Sequence, residues 1–297
     1  MLFRSCLVGD LIFNRRISVY SDDPFMALVK LMREADVTFA PLESVIHDYA
    51  GPEVYPAAEA PDTWMRSPRF VAEELKWAGI DLVSHAHNHA LDYSYGGLFQ
   101  SWKALDDAGI VHAGTGRNLG EARAPAYLDT PSGRVALVSM CSSFTGWMRA
   151  GETRADSTGR PGVNPLRLHY VVDRETKQQV MQMFWKLGMY MRQEGRMLLV
   201  HPPGLNTTIT RFDDGDAEGV TTVVNEQDAE GNLRAIDEAR KQADWVIAQV
   251  HNHWTHYDAQ RGCHRSAEFI YPFARQCIDA GADVFFEQGG EIGRAHV

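Results

Sequence analysis

The chain has 297 residues, of which 44% are hydrophobic and 23% charged, and its formal net charge is -10 at pH 7. Such a composition is typical of a packed globular protein, and the negative charge argues against a nucleic-acid or anionic-membrane surface. No apolar run has the length of a membrane span and the start lacks a signal peptide, so the chain as it stands is expected in the cytoplasm. An N-terminal anchor missing from this sequence would instead associate the protein with the cell envelope. The four cysteines form no CxxC pair, and we expect them to be reduced.

Strand-like and helix-like segments alternate along the first half of the chain. A short apolar strand at Leu2–Val8 ends at Gly9-Asp10, and the next helix is capped by Asp23, with Pro24 in its first turn. The other elements predicted before residue 141 are a strand at Val37–Ala40, a helix from Ser67-Pro68 to Ala78 stopped by Gly79, a strand at Ile80–Ser84, a helix at Gly97–Ala108 stopped by Gly109, and a hairpin that joins Ala126–Leu128 to Val135–Met140.

The second half continues this alternation with longer helices and two polar stretches. Residues 142–165 are rich in Gly, Arg, Ser and Pro and predict a loop, and a long helix is predicted from Asp173 to Glu194. The polar residues 202–227 predict a loop or a hairpin. The other predicted elements are strands at Met197–Val200, Trp245–Val250 and Val284–Phe286 and helices at Gly231–Gln242 and Ala267–Ala280. This order of elements predicts one layered α/β domain over residues 1–290.

Two histidine-rich segments each follow a predicted strand. Residues 85–89 read His-Ala-His-Asn-His with Asp92 close behind, and residues 251–256 read His-Asn-His-Trp-Thr-His, so the two segments hold six of the 12 histidines. Ligands of α/β proteins collect at the carboxyl ends of strands, and neutral imidazole is the commonest metal ligand. The placement therefore predicts a metal-dependent hydrolase. A nucleophilic triad is disfavoured because the chain has no Gly-x-Ser-x-Gly segment.

Each residue at these strand ends can be interpreted either as part of a functional site or as an ordinary structural residue. Asp10 and Glu43 also follow strands, but each alone is equally a turn residue or a carboxylate at a helix N-terminus. Asn88 offers a carbonyl oxygen to a metal, and His89 can protonate a leaving group. His251 and His253 lie on the same side of an extended chain and can reach one ion, although hydrogen-bonded loop histidines are the alternative.

Several further residues are candidates for substrate contact. His87 lies within the first histidine segment, and His201 ends another predicted strand, where a hydrogen-bonded structural role is an equal alternative. Arg149, Arg154 and Arg160, in the loop before the long helix, can hold a substrate carboxylate or phosphate. The alternative for these arginines is a solvated loop.

The order of these residues resembles the bacterial capsule-synthesis family, also called the poly-γ-glutamate CapA or PgsA family. The shared segments are Gly9-Asp10, Leu42-Glu43, Asn88-His89 with Asp92, Ala113–Leu119, Glu121–Pro125, Gly159–Pro165, His251-x-His253 and Ile278–Val284. The resemblance extends over nearly the whole chain, to about Gly290. It implies an α/β fold of the calcineurin-like metallophosphoesterase superfamily, a two-sheet sandwich flanked by helices, with the C-terminal part truncated.

The resemblance also implies roles for the candidate residues. Asp10 would hold one divalent ion, Glu43 would bridge two, Asn88 would bind the second, and His251 and His253 would complete the site. His89, with Asp92, would form the catalytic pair, and the nucleophile would be a metal-bound hydroxide. The resemblance implies two ions of Mn, Fe or Zn, as in hydrolases with paired metals.

Three departures from the family pattern affect this implied site. Pro41 and His87 stand where family members usually have Asn, and residues 287–290 read Glu-Gln-Gly-Gly where the family has Gly-His with a further His. One metal ligand is thus replaced by Gln288 or absent, and another is expected to be truncated away.

We hypothesise that the last seven residues are not encoded by the natural gene. Residues 291–297 can be encoded by GAG-ATC-GGA-AGA-GCA-CAC-GTC, which after its first base matches a common sequencing adapter. We therefore interpret 291–297 as a non-native tail, and expect the natural protein to continue beyond Gly290.

Two classes of function follow from these observations. The first is a metal-dependent hydrolase that acts on a phosphoester or on the amide bond of a γ-glutamyl polymer. The second is a non-catalytic component that binds or exports capsule polymer, and a third, weaker interpretation is a fragment too incomplete to be active. The expected partners are an anionic polymer or small-molecule substrate and membrane-associated capsule machinery, with no nucleic acid.

Overall fold

The computed structural model describes residues 3–51, 53–57, 63–201, 209–216, 219–258 and 263–289, without the side chains of residues 256–258, 263 and 264. The predicted non-native tail and the segment 202–208 lie outside the described residues. None of the helices in the described part of the chain is both long and apolar enough to cross a membrane.

The strands and helices described in the structure follow the alternation of the sequence. The strands are β1 Ser5–Leu7, β2 Val37–Pro41, β3 Val45–Ile46, β4 Arg66–Ser67, β5 Leu82–Ser84, β6 Val111–Ala113, β7 Thr115–Gly116, β8 Ala126–Thr130, β9 Gly133–Cys141, β10 Gly162–Val163, β11 Leu168–Val172, β12 Tyr190–Glu194, β13 Met197–His201, β14 Thr210–Asp214, β15 Val220–Val224, β16 Trp245–His251, β17 Thr255–Asp258, β18 Cys263–Ser266 and β19 Val284–Gln288. The helices are α1 Asp23–Glu34, α2 Phe70–Ala78, α3 Ser94–Ala108, α4 Leu119–Arg123, α5 Arg174–Lys186, α6 Glu226–Arg240 and α7 Ile270–Asp279.

Two four-stranded sheets form the centre of the molecule. Sheet I has the order β1-β2-β5-β6 with all neighbours parallel. Sheet II has the order β19-β16-β9-β8, in which β19, β16 and β9 are parallel and β8 pairs antiparallel with β9. Their facing sides share one apolar core, in which Phe39 of sheet I meets Phe286 of sheet II edge to face at a centroid distance of 5.7 Å. This arrangement confirms the predicted two-sheet sandwich of the metallophosphoesterase type.

Helices cover the outer faces of both sheets. Apolar residues of α1, α2 and α3, among them Val29, Leu75 and Leu105, pack on sheet I. On sheet II the covering helices are α6 and α7, which contribute Ile236 and Phe273 to a second core. Because the helices lie on the outer faces, the loops at the carboxyl ends of the strands stay open for chemistry.

A third sheet was not predicted from the sequence. Sheet III has the order β12-β13-β14-β11-β15, and α5 packs on it through an apolar cluster that includes Phe184 and Phe212. The predicted helix Asp173–Glu194 is wrong in its last part, because the helix ends at Lys186 and Gly188 follows with φ +71°. This left-handed backbone ends the helix, and residues 190–194 then form β12.

Smaller differences concern the ends of elements. The cap of α1 is Asp22, whose Oδ1 accepts a hydrogen bond from the backbone N–H of Phe25 at 3.2 Å, so the predicted cap Asp23 is instead the first helical residue. Helix α6 begins five residues before the predicted Gly231, because the Asn225 side chain caps it by accepting from the N–H of Asp228. The predicted helix stop at Gly79 and the predicted β8–β9 hairpin are both confirmed.

Candidate metal centre

The predicted site residues lie where the carboxyl ends of the parallel strands meet. At this edge of sheet I the N–H of Leu42, after β2, donates to the carbonyl oxygen of Ser84 on β5 at 2.9 Å. At the same edge of sheet II, the N–H of Ser142 donates to the carbonyl oxygen of His251 at 2.9 Å, and the N–H of Asn252 donates to that of Gln288 at 2.7 Å. These bonds hold the loops that carry Glu43 and the second histidine segment in fixed positions.

Glu43, His251 and His253 form a compact group of metal-ligating side chains. Oε1 of Glu43 lies 3.7 Å from Nε2 of His251 and 3.9 Å from Nε2 of His253, and the two imidazole nitrogens are 2.9 Å apart. The donor atoms of all three lie within 4.8 Å of one another. Because Glu43 comes from sheet I and the histidines from sheet II, the group bridges the two halves of the sandwich.

The carboxyl of Asp10 adjoins this group. Although Asp10 as a whole residue is exposed, its carboxyl shares a hydrogen bond with that of Glu43. Partial desolvation raises the pKa of Asp10 to about 6, while the hydrogen bond with Glu43 acts in the opposite direction. Two ionised carboxyl groups this close repel each other. A divalent ion bound beside them would offset that repulsion.

The buried imidazoles of the site are neutral, as metal ligands must be. Burial, reinforced by the neighbouring His253, lowers the pKa of His251 to about 3. Burial and the adjacent histidines also hold the pKa of His87 well below its ordinary value. Each of these rings therefore keeps a lone pair available at neutral pH.

His89 and Asp92 form a hydrogen-bonded pair beside the cluster. Nδ1 of His89 lies 2.7 Å from Oδ2 of Asp92, and the same oxygen accepts from the backbone N–H of Met65 at 2.7 Å. Although burial alone would lower the pKa of His89, the bond to Asp92 and the nearby charge of Glu43 raise it. The pair therefore orients the ring and favours the protonated imidazolium.

Orphaned polar atoms are consistent with an ion in this region. Oδ1 of Asn88 and Nε2 of His87 are buried and have no hydrogen-bond partner among the described residues. Buried polar atoms usually have a partner, and a carbonyl oxygen and an imidazole nitrogen are both metal donors. The mixed oxygen and nitrogen set of the site thus fits a divalent metal ion.

Hydrogen bonds from neighbouring side chains hold the second histidine segment in place, and most of these side chains were not predicted from the sequence. The Asn252 side chain accepts from Ser142 Oγ at 2.7 Å and donates to Glu287 Oε1 at 2.8 Å. Nε2 of Gln288 lies 2.7 Å from Nδ1 of His251, on the side of the ring away from Glu43 and His253. Two signals in the sequence point to these residues: their position at strand ends and, for Gln288, the departure from the expected family pattern.

The orientation of the Gln288 amide decides which nitrogen of His251 is free. As placed, its Oε1 is buried without a partner among the described residues. Rotated by half a turn, the amide oxygen would accept a hydrogen bond from Nδ1–H of His251, and Nε2 would keep its lone pair. Metal-ligating histidines usually make such a bond with their second nitrogen. Gln288 therefore contacts a candidate ligand instead of joining the described donor group.

The remaining predicted substrate residues are dispersed. The His87 ring lies between those of His85 and His251, at centroid distances of 5.2 and 6.2 Å. His201 lies on β13 of sheet III, where its ring contacts Tyr190. It therefore belongs to a different sheet from β2, which precedes Glu43, and from β16, which ends at His251. The predicted arginines Arg149 and Arg160 line a separate cavity near the start of α6.

Fold and site together define an α/β sandwich protein with a candidate metal centre at the shared edge of its two main sheets. The chain belongs to the family of bacterial capsule synthesis proteins, PGA_cap, whose family model matches residues 5–289. This membership confirms the resemblance found in the sequence.

Two curated proteins of Sinorhizobium fredii (strain NBRC 101917 / NGR234) are similar to the chain. The uncharacterized protein y4sH and the uncharacterized protein y4uA are each 31% identical to it over 290 residues, which is 97% of this chain. The match covers 61% of each relative, so the chain spans about three fifths of their length.

Proposed function

We propose that the protein is a metal-dependent hydrolase related to capsule synthesis, which acts on a phosphoester or on a γ-glutamyl amide. The observation that carries this proposal is the group of Glu43, His251 and His253, with the His89–Asp92 pair beside it. Family membership supports the link to capsule polymer, and the chemistry is argued from the site because a fold alone does not define a reaction.

The residues of the chain divide into those that hold a metal and those that move a proton. Asp10, Glu43, His251 and His253, with Asn88, would hold the metal, which when bound activates water and stabilises negative charge as a Lewis acid.

His89 supplies the proton of the reaction. Asp92 accepts from Nδ1–H of His89 and so leaves Nε2 of the ring to hand a proton to the leaving group. The bond from Met65 N–H to Asp92 keeps the carboxylate in place for this task.

The test is an assay of the full chain with added Mn²⁺ on bis(p-nitrophenyl) phosphate and on poly-γ-glutamate. His89→Gln should lower turnover by about 100-fold or more, because it removes the proton donor, while the metal content stays at the wild-type level. Glu43→Gln should lower both turnover and metal content.

The matched control is His112→Gln. His112 also lies on sheet I and also faces an aspartate, with its Nε2 at 3.3 Å from Oδ1 of Asp106, but it is outside the candidate centre. Turnover in this variant should match the wild type. Polymer binding without product, in metal-loaded protein, would overturn the proposal in favour of a non-catalytic polymer-binding component.

A further inference from the structure

A polar cavity of about 400 Å³ lies between the loop of residues 142–165 and the start of α6. Its charged lining consists of Arg149, Arg154, Arg160, Arg167, Glu152 and Asp228. Arginines thus outnumber carboxylates here, although the chain as a whole has a net charge of -10. A basic cavity in an acidic protein attracts anions, and its walls strengthen the field inside it.

Most of these arginines already have partners. Arg167 binds Asp228 through both Nε and Nη2, at 2.7 and 2.8 Å. Arg160 donates from Nε and Nη2 to the backbone carbonyl of Arg149, and Arg154 pairs with Asp156. These contacts fix the walls of the cavity and use much of the hydrogen-bonding capacity of the three side chains.

Arg149 differs from the others because its guanidinium has neither a hydrogen bond nor an ion pair among the described residues. It is half-buried, so its donors are not simply solvated. Burial, followed by repulsion from Arg167, lowers the pKa of Arg149, while attraction to Asp228 and Glu152 opposes the shift. Half-burial of a cation that has no hydrogen-bond partner and lies near other positive charges costs free energy unless an anion binds to it.

The cavity lies at the same edge of sheet II as the candidate metal centre. Only four residues join α6 to β16, and α6 packs on β16, so the helix and the strand run in opposite directions. The start of α6, which lines the cavity, therefore lies at the edge where β16 ends at His251. The loop of residues 142–165 is also bound to this edge, because the N–H of Cys141 donates to the carbonyl oxygen of Asn164 at 2.9 Å.

We propose that this cavity is an oxyanion-binding site, in which the Arg149 guanidinium binds a carboxylate or a phosphate group through two parallel hydrogen bonds. Five N–H donors in a planar fork match both of these groups. The proposal does not depend on the reaction at the metal centre, because none of the groups that form the cavity belongs to that centre.

The test is isothermal titration calorimetry on the full chain, treated with chelator and in low salt. The two probes are inorganic phosphate and a γ-linked glutamate tetramer. At least one probe should bind, and Arg149→Gln should weaken that binding about tenfold or more, since charge-assisted hydrogen bonds are lost. The probe that binds more tightly distinguishes a phosphate group from a carboxylate chain as the natural source of the anion.

Three control variants test whether the loss of binding is specific to the Arg149 guanidinium. Arg192→Gln removes an exposed arginine that is paired with Glu194 on sheet III, and binding should be unchanged. Arg149→Lys keeps the charge but not the fork, so binding should weaken less than in Arg149→Gln and keep its dependence on salt. Glu43→Gln should leave anion binding intact, which separates this site from the metal centre.

Two results would overturn the proposal. The first is that neither probe binds to folded wild-type protein. The second is wild-type affinity in Arg149→Gln, with folding of the variant verified by circular dichroism. If Arg149→Gln does not fold, Arg149→Lys serves instead. Wild-type affinity in Arg149→Lys would contradict the proposal that the planar guanidinium binds the anion through two hydrogen bonds.

Discussion

His251 is contacted on both of its ring nitrogens, and one of these contacts comes from Gln288. Nε2 faces Glu43 and His253, whereas Nδ1 faces the amide of Gln288. The sequence suggested that one metal ligand of the family is replaced by Gln288 or absent. The structure instead places it against the back of a candidate ligand, where its amide oxygen can hold the ring and its tautomer.

Gln288→Ala should weaken metal binding by about 10- to 100-fold, because His251 loses the partner that orients it. Competition with a chelating dye measures this affinity directly. Gln193→Ala, at an exposed glutamine of β12, is the control and should leave the affinity unchanged. Equal affinity in Gln288→Ala and wild type would show that the Nδ1 contact has no role in metal binding.

The ligand candidates could be predicted from sequence because each follows an apolar strand. Asp10, Glu43, His251 and His253 all come together as this placement indicated, although their roles as ligands stay predictions. Gln288 could not be assigned in the same way, because the sequence does not say which nitrogen of His251 its amide would face. That choice depends on the register of β16 and β19, which pairs the two residues.

At the level of elements, Glu74 on α2 holds the segment that follows β1. Its carboxylate is buried and accepts hydrogen bonds from the backbone N–H groups of Ile17 and Ser18, at 2.9 and 2.7 Å, and from the side chain of Arg16. Burial alone would raise the pKa of Glu74, but these hydrogen bonds outweigh it and lower the pKa. The charged carboxylate therefore stabilises the fold.

Glu74→Gln should lower the free energy of unfolding at pH 7 by about 2 kcal/mol, the scale of hydrogen bonds to a charged group. Urea unfolding measures the loss, and Glu73→Gln, at the exposed neighbouring position, should cost little. Because the folded pKa is lowered, the stabilisation is present above the ordinary Glu pKa of about 4.3 and is lost as the pH falls through the folded value. A difference between wild type and Glu74→Gln that persists unchanged at pH 3 would contradict this account.

The helices of the sandwich were more predictable than sheet III. Helices α2 and α3 end at Gly79 and Gly109, both with positive φ, and their apolar stripes lie on sheet I as their spacing indicated. Residues 190–194 look helical because they continue a helical pattern, yet they form β12 after the turn at Gly188. Sheet III depends on pairings between strands distant in sequence, such as β11 with β14, which local patterns do not specify.

For the whole molecule, the candidate centre joins the two halves of the sandwich. Glu43 and Asp10 follow strands of sheet I, whereas His251 and His253 belong to the end of sheet II. An ion that binds all four therefore binds only when both sheets are folded and packed together. Metal binding and global stability should be linked for this reason.

Metal at 100 times its dissociation constant should raise the free energy of unfolding by about 2.7 kcal/mol. Thermal unfolding of chelator-treated protein, with and without Mn²⁺ or Zn²⁺, measures the shift in Tm. The double variant His251→Ala/His253→Ala should show no shift with either ion. A shift of equal size in the double variant would place the stabilising ion elsewhere.

Elemental analysis of the untagged chain, purified without chelator, shows whether Glu43, His251 and His253 hold a metal. We predict Mn, Fe or Zn at one or two ions per chain, falling to background in Glu43→Gln and His251→Ala but not in His112→Gln. Folded wild-type protein that contains no metal, and takes none up on incubation with these ions, would show that these three residues are not metal ligands.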